Sequence, residues 1–271
     1  MIRFPNCKIN IGLFVTEKRA DSYHNIETIF YPVAIEDALE IVISQSKKTS
    51  LHISGIPIYG DSETNLVMRA YRLLETDFQL PPVDIYLHKK IPYGAGLGGG
   101  SSDATQTLLI LNELFNLNLS QSQLLAYAIQ IGADCPFFLK NRPLFAYEKG
   151  SLFKEIELNL DSYWLALIKP PYAINTQEAY SKINPKKLEY SLQEIVKQPI
   201  ELWKEFVFND FESFVFHKYP LIQRIKELMY HNGALYASMS GSGSAVYGIF
   251  KETPFFQYFA DCIGFVLPPK V

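Results

Sequence analysis

Near the amino terminus, Cys7, Ile9, Ile11 and Leu13 alternate with Lys8, Asn10 and Gly12. A period of two predicts a half-buried strand. Segments 37–46 and 50–59 read as further strands, and Asp61 to Asn65 opens a helix to about Thr76, with Leu66, Ala70, Leu73 and Leu74 on one face. An apolar run from Val83 to Ile91 predicts a strand. A helix from Asp103 to Leu117 carries a stripe of Ala104, Leu108, Leu111 and Phe115, and another spans about 120–132, stopping at Gly132. Beyond about 145 the texture changes. Ser162 to Lys169 reads as a strand, with helices near 176–182 and 200–216. Pro220 starts a helix whose Leu221, Ile222, Ile225, Leu228 and Met229 share a face, closed by Asn232 and Gly233. Strands 234–239 and 245–250 flank Ser240, Gly241, Ser242, Gly243 and Ser244. Strands interleaved with helices, antiparallel pairs included, indicate an α+β or mixed α/β chain with two lobes.

Between the strand ending at Ile91 and the helix opening at Asp103 lie Pro92, Tyr93, Gly94, Ala95, Gly96, Leu97, Gly98, Gly99, Gly100, Ser101 and Ser102. Glycines here remove the Cβ atoms that would keep an anion off the backbone. The following helix offers unpaired N–H groups and the positive end of its dipole. Strand, glycine loop and helix together describe a phosphate cradle. A P-loop needs a lysine beside its last glycine, and Gly100 is followed by Ser101. Gly94, Gly96 and Gly99 satisfy the dinucleotide fingerprint, but that motif also wants an acid about 20 residues on. Asn116 to Ser120 offers none. A flexible linker fits poorly, since Leu97 sits among the glycines and both flanks are patterned.

At 271 residues the chain suits one large or two modest domains. A formal net charge of −3 argues against nucleic acid as the main partner. The start reads straight into strand alternation rather than as a signal peptide, and no apolar run approaches the roughly 20 residues of a membrane span. Cys7, Cys135 and Cys262 show no ligand spacing, which fits a reduced, cytoplasmic interior.

Phosphoryl transfer requires a cation and a carboxylate besides the cradle. Lys8 shares a strand face with Asn10; it reads either as a solvent-facing lysine or as that cation. Asp134, between Gly132 and Pro136, reads as a turn or capping residue. Its apolar neighbours Phe137, Phe138 and Leu139 suggest instead a desolvated carboxylate needing a cationic partner. Arg19 to His24 is a polar insert, a solvated loop or, with Tyr23, His24 and Phe30, a set of groups able to stack on a planar base. Ser240 to Ser244 is a hairpin turn or a second set of N–H donors.

Taken together, these segments resemble the GHMP kinase superfamily. The motif of Pro92, Gly96, Leu97, Gly98, Ser101 and Ser102 is its loop. The added matches at Lys8 to Asn10, Arg19 to His24, Asn65 and Leu66, Gly132 to Phe137, and Ser240 to Gly243 point to its 4-diphosphocytidyl-2-C-methyl-D-erythritol kinases. The resemblance implies a fold with an N-terminal lobe like ribosomal protein S5 domain 2 and a ferredoxin-like C-terminal lobe, the site lying between. It implies an ATP-binding lobe over 1–150 and a substrate-side lobe over 151–271. The implied reaction moves the ATP γ-phosphate, with Mg²⁺, to the 2-hydroxyl of a small cytidyl-diphosphate sugar alcohol in isoprenoid precursor synthesis. Lys8 and Asp134 match the catalytic pair, loop 92–102 wraps the triphosphate, and Asn65 joins the ATP site. Tyr23, His24 and Phe30 enclose the cytosine, Tyr172 takes its other face, and Asn10, Ser240 and Gly241 lie on the substrate side. Ser101 and Ser102 are candidate Mg²⁺ ligands, with no acid as an evident partner. Ser22 replaces a usual glycine, which strains the turn if φ is positive there. Homoserine- or mevalonate-type kinases and a non-catalytic nucleotide-binding protein are the alternatives.

Overall fold

A computed structural model describes residues 1–58, 60–256 and 259–270. In chain order it contains β1 (Ile2–Arg3), β2 (Asn6–Lys18), β3 (His24–Glu36), β4 (Ala38–Ile43), β5 (Ser50–Gly55), α1 (Leu66–Phe78), β6 (Val83–Lys89), α2 (Gly99–Leu114), α3 (Gln121–Ile131) and α4 (Cys135–Lys140). There follow β7 (Leu144–Tyr147), β8 (Leu152–Glu155), β9 (Trp164–Lys169), α5 (Thr176–Ser181), α6 (Leu192–Ile195), α7 (Trp203–Phe206), α8 (Glu212–Lys218), α9 (Pro220–His231), β10 (Tyr236–Met239), β11 (Val246–Phe250) and β12 (Ile263–Leu267). The fold class is α+β.

Two compact units emerge, and they interleave along the chain. One comprises 1–8, 32–93 and 98–142; the other comprises 9–31, 94–97 and 143–271. A single cut near 150 therefore describes sequence order rather than packing, because residues 9–31 and 94–97 pack with the C-terminal stretch.

In the first unit β1, β4, β6 and β5 form a sheet in that order, antiparallel except for the parallel β5–β6 pair. Val83, Ile85 and Leu87 alternate with more exposed residues along β6, so one face carries the core. Against it pack Val67, Tyr71 and Leu74 of α1 and Leu108 and Leu111 of α2. Asn65 caps α1, accepting from the Val67 N–H at 2.9 Å. A capping box between Ser120 and Gln123 starts α3.

The second unit has two four-stranded sheets, β2-β3-β7-β8 and β10-β11-β9-β12. The latter is antiparallel throughout. Numbered by appearance, its strands run second, third, first, fourth, the order of a ferredoxin-like lobe. Ile222, Ile225 and Met229 of α9 pack with Ala166, Ile168, Ala237 and Val246 of this sheet.

Several elements depart from the sequence-based reading. The strand β3 falls where the sequence pattern predicts no element, at the end of the polar insert Arg19 to His24; α2 starts four residues early at Gly99, and α4 is an additional short helix. The helix expected over 200–216 is broken. The Leu13 N–H of β2 donates to the Phe208 carbonyl at 2.9 Å, and the Asp210 N–H donates to the Leu13 carbonyl at 2.9 Å. That pairing takes backbone groups a continuous helix would need. Among the described residues no helix is long and apolar enough to cross a membrane.

Candidate active site

Within the first unit, β6 ends at Lys89, whose ammonium is buried between two carboxylates. It contacts Asp37 and donates to Asp103 at 2.6 Å. Asp37 Oδ1 also accepts from the backbone N–H groups of Lys90 (2.6 Å) and Ile91 (2.8 Å). The chain entering the glycine loop and the helix leaving it are thus tied to one cluster. Burial raises the Asp103 carboxyl to about 7, against the pull of Lys89 and with a further push from Asp37.

The N-cap of α2 is Gly98, at φ 67°, with no side-chain cap. A Cβ there would stand 3.1 Å from Lys8 Cε and 3.1 Å from Phe138 Cζ. Glycine is required for both its torsion and this approach. The first turn of α2 carries backbone N–H groups without intrahelical partners. Ser102 Oγ, fully buried in that turn, has no hydrogen-bond partner. Lys8 is only 3% exposed, so the solvent-facing reading of it is overturned. Its Nζ lies 3.4 Å from Asp134 Oδ2. Asp134 precedes α4 but makes no side-chain cap, because its carboxylate is directed to Lys8 instead. Pro136, in the first turn of that helix, needs no hydrogen-bond partner for its nitrogen.

Within the second unit, Asn10, two residues beyond Lys8 on β2, is equally buried. Its Nδ2 donates to Thr28 Oγ1 at 3.0 Å, and Thr28 donates to the Gly12 carbonyl at 2.5 Å. Ser240 Oγ accepts from the Asn10 N–H at 3.1 Å and donates to the Gly96 carbonyl at 2.8 Å. A Cβ on Gly96 would overlap the Ser240 carbonyl oxygen, and one on Gly241 would stand 3.1 Å from Asn10 Oδ1. Asn209 Nδ2 donates to the Met239 and Gly241 carbonyls, both at 2.8 Å. The β10–β11 connection is therefore more than a hairpin turn: it holds the glycine loop at Ala95, whose carbonyl accepts from the Ala245 N–H at 3.2 Å, and at Gly96, through the Ser240 hydroxyl.

The β2–β3 connection is a tight loop in which the Arg19 N–H donates to the Tyr23 carbonyl at 2.8 Å and the Tyr23 N–H to Asp21 Oδ1 at 3.2 Å. Ser22 has φ 67°, so the missing glycine is felt as strain. Ser22→Gly is expected to stabilise the fold by about 1 kcal/mol, raising the midpoint of thermal unfolding by roughly 2 °C; an unchanged or lower midpoint in calorimetry contradicts this. Tyr23 is exposed, whereas His24 stacks on Tyr180 with ring centroids 4.9 Å apart and planes 16° from parallel. Partial burial, with Lys18 nearby, lowers the His24 pKa and favours the neutral imidazole. Tyr23, His24 and Tyr180 line a cleft of about 740 Å³ with Lys18, Ser22, Lys149, Thr176, Gln177 and Ser181.

Tyr172 does not line that cleft. Its ring packs on Tyr219 at 5.0 Å, and its carbonyl accepts from Lys169 Nζ (2.9 Å) and Ser244 Oγ (2.5 Å). These contacts hold it, partly buried, against the core of its own unit, and the aromatic facing His24 is Tyr180. Phe30 is 3% exposed on β3, tilted against Phe153, and presents little surface to a ligand. In the loop, Tyr93 and Gly94 are exposed, while Pro92, Ala95, Leu97 and Gly99 are buried and Gly100 is open to solvent.

Residues 65–142 match the GHMP kinase N-terminal domain and residues 191–254 the GHMP kinase C-terminal domain. A 4-diphosphocytidyl-2-C-methyl-D-erythritol kinase of Bacteroides fragilis is 55% identical over 253 residues, covering 93% of this chain and 92% of that one. The chain belongs to this kinase family. A crystal structure of 4-(cytidine 5'-diphospho)-2C-methyl-D-erythritol kinase superposes with a TM-score of 0.75 at 33% identity, over 92% of this chain and 90% of its own. A homoserine kinase from Cytophaga hutchinsonii, at 17% identity and a TM-score of 0.59 over 91% and 85%, shares the fold alone.

Membership of the GHMP kinases brings ATP use with it. The structure offers a suitable receptor for its phosphates: a glycine cradle that a Cβ would fill at Gly98, and the orphaned Ser102 hydroxyl. That hydroxyl, beside Ser101, is a hard oxygen donor of the kind Mg²⁺ accepts alongside phosphate oxygens. Among the described residues no cluster of His, Cys, Asp or Glu is arranged to hold a metal by itself. Sequence reasoning missed Tyr180. Its signal is faint: it lies one helical turn beyond Thr176 on α5.

Proposed function

We propose that this chain transfers the γ-phosphoryl group of ATP, with Mg²⁺, to the 2-hydroxyl of 4-diphosphocytidyl-2-C-methyl-D-erythritol in the cytoplasm. The observation that carries the proposal is the buried Lys8 ammonium, 3.4 Å from Asp134, packed under the glycine N-cap of α2. Asp134 accepts the hydroxyl proton as the acceptor oxygen bonds to the γ-phosphorus and the bond to the β–γ bridging oxygen breaks, releasing ADP. Lys8 steadies the negative charge developing on the acceptor oxygen. The α2 N-terminus and Ser102 stabilise charge on the phosphoryl oxygens. Ser102, with Ser101, would hold Mg²⁺, which would supply further neutralisation of phosphate charge.

On the substrate side, Tyr23 and Tyr180 supply ring faces to the cytosine and neutral His24 a hydrogen-bonding edge. Asn10, Ser240 and Gly241 shape the polar end, and Phe30, buried against Phe153, lies on the strand that carries His24. Asn65 and loop 92–102 serve the nucleotide.

The test is ADP release from purified protein with ATP, Mg²⁺ and a panel of acceptors. Turnover is expected with the cytidyl diphosphate substrate and not with homoserine or mevalonate; the reverse pattern refutes the assignment. Tyr180→Ala should raise KM for the cytidyl substrate about tenfold, the scale of one lost stacking contact. Tyr172→Ala should leave that KM within about twofold of the parent value. If Tyr172→Ala has the larger effect, the assignment of the two rings is wrong.

A further inference from the structure

Lys149 sits in the turn joining β7 to β8, a connection shaped by Glu148 at φ 54° and Gly150 at φ 80°. Its ammonium makes two contacts with the β2–β3 loop. It lies 2.7 Å from Asp21 Oδ2 and 4.3 Å from the centroid of the Tyr23 ring. Asp21 is itself anchored, accepting from Arg19 Nε at 3.3 Å and from the Tyr23 N–H. Arg19 in turn donates to Asn25 Oδ1 at 2.9 Å. The loop that carries Tyr23 is therefore fixed in backbone, while its ring, 62% exposed, has one prominent constraint on its face: the lysine.

A tyrosine ring has two faces, and a cation on one leaves one for a ligand. We infer that Lys149 is a positioning residue for nucleobase recognition, holding the Tyr23 ring so that its remaining face is presented to the cytosine. The inference rests on the substrate reading above and extends it to a residue outside the stacking pair. An ion pair to an anchored carboxylate sets where the ammonium stands, and attraction to the ring quadrupole sets the tilt of the ring. Each contact alone is weak at this exposure. Their joint effect is to remove rotamers of a mobile side chain before the base arrives, which lowers the ordering entropy of binding.

Lys149→Met keeps the stem and removes the charge. It is expected to raise KM for the cytidyl substrate, and Kd for cytidine 5′-diphosphate by calorimetry, about fivefold. The parent kcat, KM for ATP and thermal midpoint are expected to persist. Lys149→Arg, which keeps both the ion pair and the cation over the ring, should restore binding to within about twofold. In a Tyr23→Leu background, Lys149→Met should add no further loss. Unchanged KM and Kd in Lys149→Met overturn the inference. So does a full additional loss in the Tyr23→Leu background, which would place the lysine on the ligand itself. If the parent protein neither binds cytidine 5′-diphosphate nor turns over the cytidyl substrate, the substrate reading fails and this inference with it.

Discussion

Asp134→Asn lowers kcat at least about 100-fold in steady-state ADP release, as does Lys8→Ala, the scale of losing one preorganised charge in a water-poor site. Asn keeps the size and one hydrogen-bonding oxygen of Asp134 but accepts no proton and neutralises no ammonium. Lys8 is buried, so Lys8→Ala also opens space beneath Gly98. Lys8→Met, which fills that space without charge, separates packing from electrostatics and should be as inactive. In the proposed reaction both residues act in the chemical step rather than on the nucleotide's base or ribose, so Kd for ATP should move far less than kcat. Near-normal turnover in Asp134→Asn or Lys8→Met would strike that residue from the chemical step.

Lys89→Met is expected to destabilise the protein by about 3–5 kcal/mol, because it strands two buried carboxylates with no cation between them. Asp37 would keep its two backbone donors, and Asp103 would keep none that the structure shows. Chemical denaturation monitored by circular dichroism measures the loss; a change under about 1 kcal/mol would mean that the cluster carries little load. Asp103→Asn should behave in the opposite sense. Its carboxyl titrates near 7 when folded, against 3.8 as the ordinary value. The folded state thus holds this proton more tightly, and the stability it contributes is full below about pH 4 and lost as pH rises through 7. Asn cannot lose a proton, so the variant's thermal midpoint relative to the parent should be higher at pH 8 than at pH 5. The reverse trend would show Asp103 to be held as an anion by Lys89.

The strand, glycine loop and helix were legible as a unit because no packing argument competes with five glycines between two strongly patterned segments. Helix α9 was equally plain, since Pro220 and Asn232 punctuate a regular apolar stripe. Burial of Lys8 was not legible. Alternation assigned it to a solvent face, yet β2 is buried on both faces over most of its length, so polar residues there are enclosed by partners distant in sequence. Strand β3 escaped notice for the same reason: its buried residues run consecutively, and Pro32 reads as a breaker. Tyr172 and Tyr180 show the limit for side chains. Both are aromatic residues near one turn, and only their neighbours, Tyr219 for one and His24 for the other, separate them.

The carbonyl of Ser240 abuts Gly96 so closely that no side chain fits, and the Ser240 hydroxyl donates to the carbonyl of Gly96. A stretch whose composition suggests floppiness is thereby moulded against a rigid template. On the proposed assignment, a nucleotide arriving there would meet a curve already made, and its affinity would not be diluted by the need to freeze a wandering segment. Rigidity in this part of the molecule is borrowed from the neighbouring hairpin rather than inherent in the sequence of the loop.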